Sequence, residues 1–250
     1  MILTVDIGNS RVKWASWMAE RIVARGVAAY AEEETTVTFD KLFSTVLKPS
    51  CVFALCVAGH AKQQALSKWV KQHWQLDVEF LKTEKQYKNI TNAYHDPSQH
   101  GVDRWAAVVA GFQNNPGMSI CVISAGTAIT FDLIKQSGQH LGGYILPSYV
   151  TMHKCLLSDT ANLESALNVQ LNQQNVPDNT NDAVNQGLHK LLQAGIREIC
   201  QYAGNILDEP VQILLTGGFA KTILSYPDMP VMQYNPDLVM QGLYNIIKQR

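Results

Sequence analysis

The chain has 250 residues, 20 Lys plus Arg against 21 Asp plus Glu, a formal net charge of -1 and a hydrophobic fraction of 46%. That length and apolar content can bury one large core or two small ones, and the balanced charge creates no field to gather a nucleic acid or an anionic membrane, so small molecules are the better partners. The longest apolar run, 51–58, is strand-sized, the N-terminus shows no basic and apolar leader pattern, and the five cysteines (Cys51, Cys56, Cys121, Cys155, Cys200) form no CxxC pair. A cytoplasmic protein with free thiols is expected, with no nucleic-acid or membrane partner.

Residues 2–5 read as a strand running into Asp6-Ile7-Gly8-Asn9-Ser10-Arg11-Val12-Lys13, a glycine-centred hairpin whose returning strand covers 11–17. Further strands are expected at 21–30, 51–58 and 78–81, a short helix at 36–47, and a helix at 61–74 by its three- and four-residue period. The polar stretch 82–100 has turn formers and little periodicity, which suits a functional loop. Asp103 is expected to start a helix over 104–113, and Asn114-Asn115-Pro116-Gly117 stops it.

The strand-hairpin pattern then restarts, with strands at 118–123, 128–134 and 140–146 and a second glycine hairpin, Ser124-Ala125-Gly126-Thr127-Ala128. A helix at 148–157 and an Asn- and Gln-rich connection lead to a long helix at 182–207, where Leu188, Leu191, Leu192, Ile196, Ile199, Ala203 and Ile206 recur at helical steps. A strand at 211–215, the turn Thr216-Gly217-Gly218-Phe219-Ala220 and a helix at 236–249 complete the chain. Three strands, helix, strand, helix thus occurs about twice, predicting two similar α/β domains, 1–115 and 116–250, with a nucleotide cleft between them.

The chemistry concentrates at these hairpins. Asp-x-Gly-Asn alone is a common turn, but Asp6 sits at the end of a buried strand, where a carboxylate is costly unless a metal or hydrogen-bond donors meet it. Gly8 and Gly126 lack a Cβ and tolerate φ > 0, so the backbone can approach a phosphate closely, and Lys13 adds a cation. Gly101-Val102-Asp103-Arg104 places an acid and a guanidinium at a helix start, where an anion is favoured; its plain structural alternative is an N-cap beside a surface Arg. No GxxxxGK[ST] loop occurs.

In this order the motifs resemble those of the type III pantothenate kinases, of the actin and sugar kinase superfamily. Besides the two hairpins, the likeness covers Tyr94 with Gly101 to Arg104, Gly142-Gly143-Tyr144-Ile145-Leu146-Pro147, Thr160-Ala161-Asn162-Leu163, Asn179-Thr180 and Thr216 to Ala220. It implies two ribonuclease H-like (actin-like) domains and ATP-dependent phosphorylation of pantothenate to 4'-phosphopantothenate, the first step of coenzyme A synthesis, by a homodimer. By the same resemblance Asp6 would hold Mg²⁺. Asp6, Ile7, Gly8, Asn9, Ser10, Arg11, Val12 and Lys13 would bind ATP from one hairpin and Thr127 from the other, while Gly217-Gly218 would lie by the adenosine. Asp103 would be the catalytic base, and Tyr94, Gly101, Val102, Arg104 and Thr180 would position pantothenate, Thr180 being lent by the neighbouring subunit.

Two positions depart from the family pattern. Ser124 stands where most members have an Asp that binds K⁺ or NH₄⁺, so weak or absent monovalent-cation dependence is expected; Ser148 stands where Gly is common, with little consequence expected. The rival readings are another small-molecule kinase of the superfamily and a nucleotide-binding accessory transcriptional regulator.

Overall fold

A computed structural model describes residues 1–30, 35–160, 164–168 and 175–248. In chain order the first elements are β1 (Ile2–Ile7), β2 (Arg11–Met18), β3 (Arg21–Ala29), α1 (Thr35–Phe43), β4 (Cys51–Cys56), α2 (His60–Trp74), β5 (Val78–Phe80), β6 (Gln86–Tyr87), β7 (Ile90–Thr91) and α3 (Val102–Asn114). They are followed by β8 (Ser119–Ala125), β9 (Ala128–Ile134), β10 (His140–Pro147), α4 (Tyr149–Ser158), α5 (Thr180–Ile206), β11 (Val211–Thr216), α6 (Ala220–Leu224), β12 (Gln233–Tyr234) and α7 (Leu238–Ile247). The chain divides into one unit of Met1–Gln113 with Asp237–Arg250 and another of Asn114–Pro236.

The first unit is built on the sheet β3-β2-β1-β4-β5, with β1 antiparallel to β2 and parallel to β4. Alternation along β1 sends Leu3, Val5 and Ile7, all fully buried, into a cluster with Phe39, Phe43, Leu66, Trp69 and Val70 of α1 and α2. Thr4 and Asp6 take the opposite face. There Trp17 donates its indole N–H to the Thr4 hydroxyl at 2.8 Å and stacks on Tyr244 of α7 at 4.2 Å.

The second unit repeats the order as β10-β9-β8-β11-β12, with β8 antiparallel to β9 and parallel to β11. Ile123, Ile129 and Phe131 of this sheet pack with Tyr149 of α4 and with Leu192, Ile196 and Ala203 of α5. Tyr149 donates to the Asn168 carbonyl at 2.7 Å and stacks on His189 at 4.3 Å, fixing α4 and the segment 164–168 against α5. Asn181 and Asn185 of α5 accept the amides of Ala166 and Asn168 at 2.8 and 3.0 Å.

Most expected elements are present, with instructive differences. The division at 115/116 assigned the last helix to the second half, but α7 belongs to the first unit. Leu238, Met240, Leu243, Tyr244, Ile246 and Ile247 are all buried, and α7 packs on the side of the first sheet that carries Thr4, where Met240 meets the Thr4 hydroxyl and Tyr244 stacks on Trp17. The stretch 82–100 carries the hairpin β6–β7 and a 3-10 turn at Pro97–Gln99. α6 and β12 are too short to show a period. Residue 249 of the expected last helix, and Ala161, Asn162 and Leu163 of the motif beginning at Thr160, lie outside the described residues. All five cysteines are free thiols, and among the described residues no helix is long and apolar enough to cross a membrane.

α7 approaches α3 so closely that a Cβ on Gly242 would fall 1.8 Å from the Ala106 carbonyl oxygen. Gly242→Ala is therefore expected to destabilise the protein by about 1–3 kcal/mol or more through overpacking. Gly195→Ala, in mid-α5 with nothing nearer than Leu146 at 3.8 Å, should stabilise it by roughly 0.5–1 kcal/mol through helix propensity. Denaturant midpoints of the two variants check the pair.

Candidate active site

In the first unit the site begins where β1 leaves the core. Gly8 N–H donates to the Arg11 carbonyl at 3.0 Å, closing the hairpin, and Asp6 stands directly across the ladder from Lys13. Ile7 and Val12 are fully buried, so only their backbone can serve a ligand, while Asn9, Ser10 and Arg11 are exposed. Neither Gly8 nor Gly126 adopts a positive φ, contrary to the expectation for these turns. The reason for glycine at position 8 is space, since a Cβ there would sit 3.1 Å from the Arg11 oxygen; at position 126 the nearest atom is 3.8 Å away, and an alanine would fit.

Asp6 is 8% exposed, and burial pushes its carboxyl up to about 7, against the opposing pull of Lys13 and with a further push from the Asp103 carboxylate. Two carboxylates thus feel each other within one unit.

Asp103 is not the N-cap expected of it. α3 begins one residue earlier, with the Gly101 carbonyl accepting the Trp105 N–H at 3.0 Å, and Asp103 Oδ1 accepts the Arg104 N–H at 2.8 Å inside the first turn. A Cβ on Gly101 would lie 2.9 Å from Asp103 Oδ1, so a side chain there would push the carboxylate out of this folded-back position. Arg104 is no surface residue either. It is 5% exposed, and its guanidinium donates to the Tyr94 hydroxyl at 3.2 Å. Tyr94 stacks on His100 at 4.8 Å, and His100 accepts from the Asn92 side chain at 3.1 Å. Asn92, only 1% exposed, also takes the Tyr94 N–H at 3.0 Å, and Lys85 donates to the carbonyls of Asn92 and Tyr94 at 2.9 and 2.8 Å. Gly101, Val102, Asp103, Arg104 and Tyr94 are therefore one assembly, scaffolded by polar residues whose roles no sequence period announces.

Lys62 and Tyr30 were also invisible in the sequence. Lys62, in the first turn of α2, donates to the Asn9 carbonyl at 3.1 Å and lies 3.4 Å from the centre of the Tyr30 ring. Burial lowers its ammonium pKa. The tip of the first hairpin is thereby gripped by a cation from a separate helix.

In the second unit Ser124 lies between Thr130 of β9 and Thr216 of β11 in the sheet register, one residue before the turn. Thr127 is exposed at the tip, and its carbonyl accepts from Thr151 Oγ1 of α4 at 2.9 Å. Gly217 takes φ 101°, and a Cβ there would meet the Ala125 oxygen at 2.3 Å, so the Gly217-Gly218 turn sits tightly on the hairpin; Phe219 N–H donates to that same oxygen at 3.0 Å. Thr180 is exposed in the first turn of α5, which Asn179 caps by accepting the Asp182 N–H at 3.0 Å. Ser148, expected to matter little, is the N-cap of α4.

Residues 2–202 match the family model of type III pantothenate kinase. The type III pantothenate kinase of Nitrosococcus oceani is 31% identical over 256 residues, covering 99% of this chain and 94% of its own. Among solved structures, a Campylobacter jejuni protein described as a conserved Baf family transcriptional activator is similar with a TM-score of 0.61 at 24% identity, covering 99% of this chain and 98% of its own. A Sinorhizobium meliloti protein described as a 2-dehydro-3-deoxygalactonokinase is similar with a TM-score of 0.60 at 12% identity, covering 100% and 99%. These two likenesses bear on the fold alone.

The raised Asp6 carboxyl has a stability consequence with a definite sign. Below about pH 4 both folded and unfolded chains hold the proton and the pH-linked cost of burial is absent; between 4 and 7 only the unfolded chain loses it, so stability falls as pH rises and levels off above about 7. Asp6→Asn cannot ionise, so in ligand-free protein its melting temperature should match the parent near pH 4 and exceed it increasingly up to pH 7, by up to about 4 kcal/mol of stability. A difference constant across pH, read by thermal unfolding, would contradict the buried-charge account.

Proposed function

The chain belongs to the type III pantothenate kinase family, and from that premise we propose how its residues phosphorylate pantothenate with ATP at the entry to coenzyme A synthesis. The observation that carries the proposal is the first unit's assembly of the Asp6 hairpin, the Asp103 carboxylate and the Arg104–Tyr94 pair.

The first hairpin binds the β- and γ-phosphates of ATP through the backbone from Asp6 to Val12 and through Lys13, and Thr127 contacts ATP from the second hairpin. The residues fit Mg²⁺: a hard dication takes oxygen ligands, and a buried carboxylate raised to about 7 and repelled by a second one is the kind of group a cation relieves. Mg²⁺, when bound, neutralises phosphate charge. Asp6 would hold it, and an adjacent cation would favour the ionised form of Asp6.

Arg104, Tyr94 and the backbone of Gly101 and Val102 position pantothenate; a guanidinium suits its carboxylate. Asp103, with Oδ1 held by the Arg104 amide, orients the attacking hydroxyl and takes its proton. A carboxylate is far too weak a base to deprotonate an alkanol beforehand, but the loose transition state of phosphoryl transfer needs little early activation, and the proton moves late.

Thr180 reaches pantothenate in a neighbouring subunit of a homodimer. Its exposed place at the start of α5 supports this, as do Tyr144 and Ile145 on β10 and Leu191 and Tyr202 on α5, large apolar side chains left exposed in the second unit. Ser124 offers a neutral hydroxyl to a monovalent cation, so K⁺ or NH₄⁺ binds weakly there. The setting is cytoplasmic. A purely regulatory nucleotide-binding role gives no task to Asp103 and Arg104, and another small-molecule kinase gives none to the Tyr94–Arg104 pair.

Asp103→Asn, at unchanged melting temperature, should lose about 10²- to 10⁴-fold in kcat in an ADP-release assay dependent on pantothenate; near-normal turnover removes Asp103 from the base role. Rates in Na⁺, K⁺ and NH₄⁺ salts should be similar or should saturate only at high salt. Sharp activation by low K⁺ would show that Ser124 does not weaken the cation site.

A further inference from the structure

We propose that Thr151, oriented by Ser148, is a positioning residue that fixes the tip of the second phosphate hairpin for ATP. The proposal rests on the reading that Thr127 contacts ATP.

Proton counting gives the contacts a direction. Thr151 has one hydroxyl proton, and it is donated to the Thr127 carbonyl at 2.9 Å. The 3.0 Å contact between Ser148 Oγ and Thr151 Oγ1 must then have Ser148 as its donor. Ser148 Oγ in turn accepts the Thr151 N–H at 3.3 Å. The result is a one-way chain from the Thr151 amide through two hydroxyls to the hairpin carbonyl, in which each bond polarises the next.

The anchor is rigid where the tip is exposed. Ser148 is 4% exposed, and the adjoining Tyr149 is fully buried, bonded to the Asn168 carbonyl and stacked on His189. Phe219 N–H holds the Ala125 carbonyl from another side at 3.0 Å. Two alternate carbonyls of the hairpin, 125 and 127, are thus tied to elements outside it, and the planar peptide that follows Thr127 is fixed in orientation. Without the Thr151 hydroxyl the exposed tip samples more conformations, and ATP must order it on binding.

Thr151→Val removes the hydroxyl at nearly constant shape. It should raise KM for ATP about three- to tenfold, the size expected for one hydrogen bond, while kcat and the KM for pantothenate stay near parental values. Thr151→Ser should restore the ATP KM, which a merely space-filling role would not require. Ser148→Ala should raise the ATP KM less and lower the melting temperature through the lost cap. Thr127→Val separates the two levels of inference. If it raises the ATP KM and Thr151→Val does not, the relay is wrong and Thr127 keeps its role; if Thr127→Val leaves it unchanged, the assignment of Thr127 falls and the proposal with it.

Discussion

A carboxylate at the end of a buried central strand governs the first unit. β1 sends Leu3, Val5 and Ile7 into the core against α1 and α2, and the two-residue period then places Thr4 and Asp6 on the other side. Thr4 is satisfied there by the Trp17 indole, itself stacked on Tyr244 of α7. Asp6 has Lys13 across the ladder, yet burial outweighs that attraction and its carboxyl stays near 7. Such a group is a standing cost to the ligand-free fold wherever it is ionised. α3 brings the Asp103 carboxylate near enough to push the Asp6 carboxyl further up, so the two carboxylates share one electrostatic environment.

The two units answer the same architectural problem with different chemistry. Each has the strand order of a three-stranded meander extended by two parallel strands, and each raises a glycine hairpin from its central strand. The first tip is held by an ammonium, Lys62 on the Asn9 carbonyl, and carries Asp6 and Lys13. The second is held by a neutral hydroxyl, Thr151 on the Thr127 carbonyl, and carries the neutral Ser124. Charge thus gathers on one hairpin, and the other is a shaped, neutral surface.

Much of this was legible in the order of residues because strands and hairpins announce themselves locally. Ala128 to Ile134 is a strand over the expected residues, and the glycine turns fall where apolar runs stop. The pairing of acid and guanidinium at Asp103 and Arg104 was legible too, but its geometry was not: whether Asp103 caps the helix or folds back onto the Arg104 amide depends on where the first turn begins, and that is decided by the Gly101 carbonyl and the scaffold around Asn92 and Lys85. Lys62, Tyr30, Asn92 and Thr151 carried no signal, since a single polar residue in a helix or loop looks the same whether it faces solvent or a distant carbonyl.

The doubled α/β plan, the two glycine hairpins and the identity of the charged groups were open to reading along the chain, because they follow from hydrophobic period, turn chemistry and residue type along short stretches. Only the tertiary structure decided that α7 closes the first unit, that Arg104 is buried on Tyr94, that Asp6 rests near neutrality, and that Ser148 and Thr151 brace the second hairpin. Each of those depends on residues brought together by packing from separate parts of the chain, and the cost of a buried charge such as that of Asp6 exists only once that packing has excluded water.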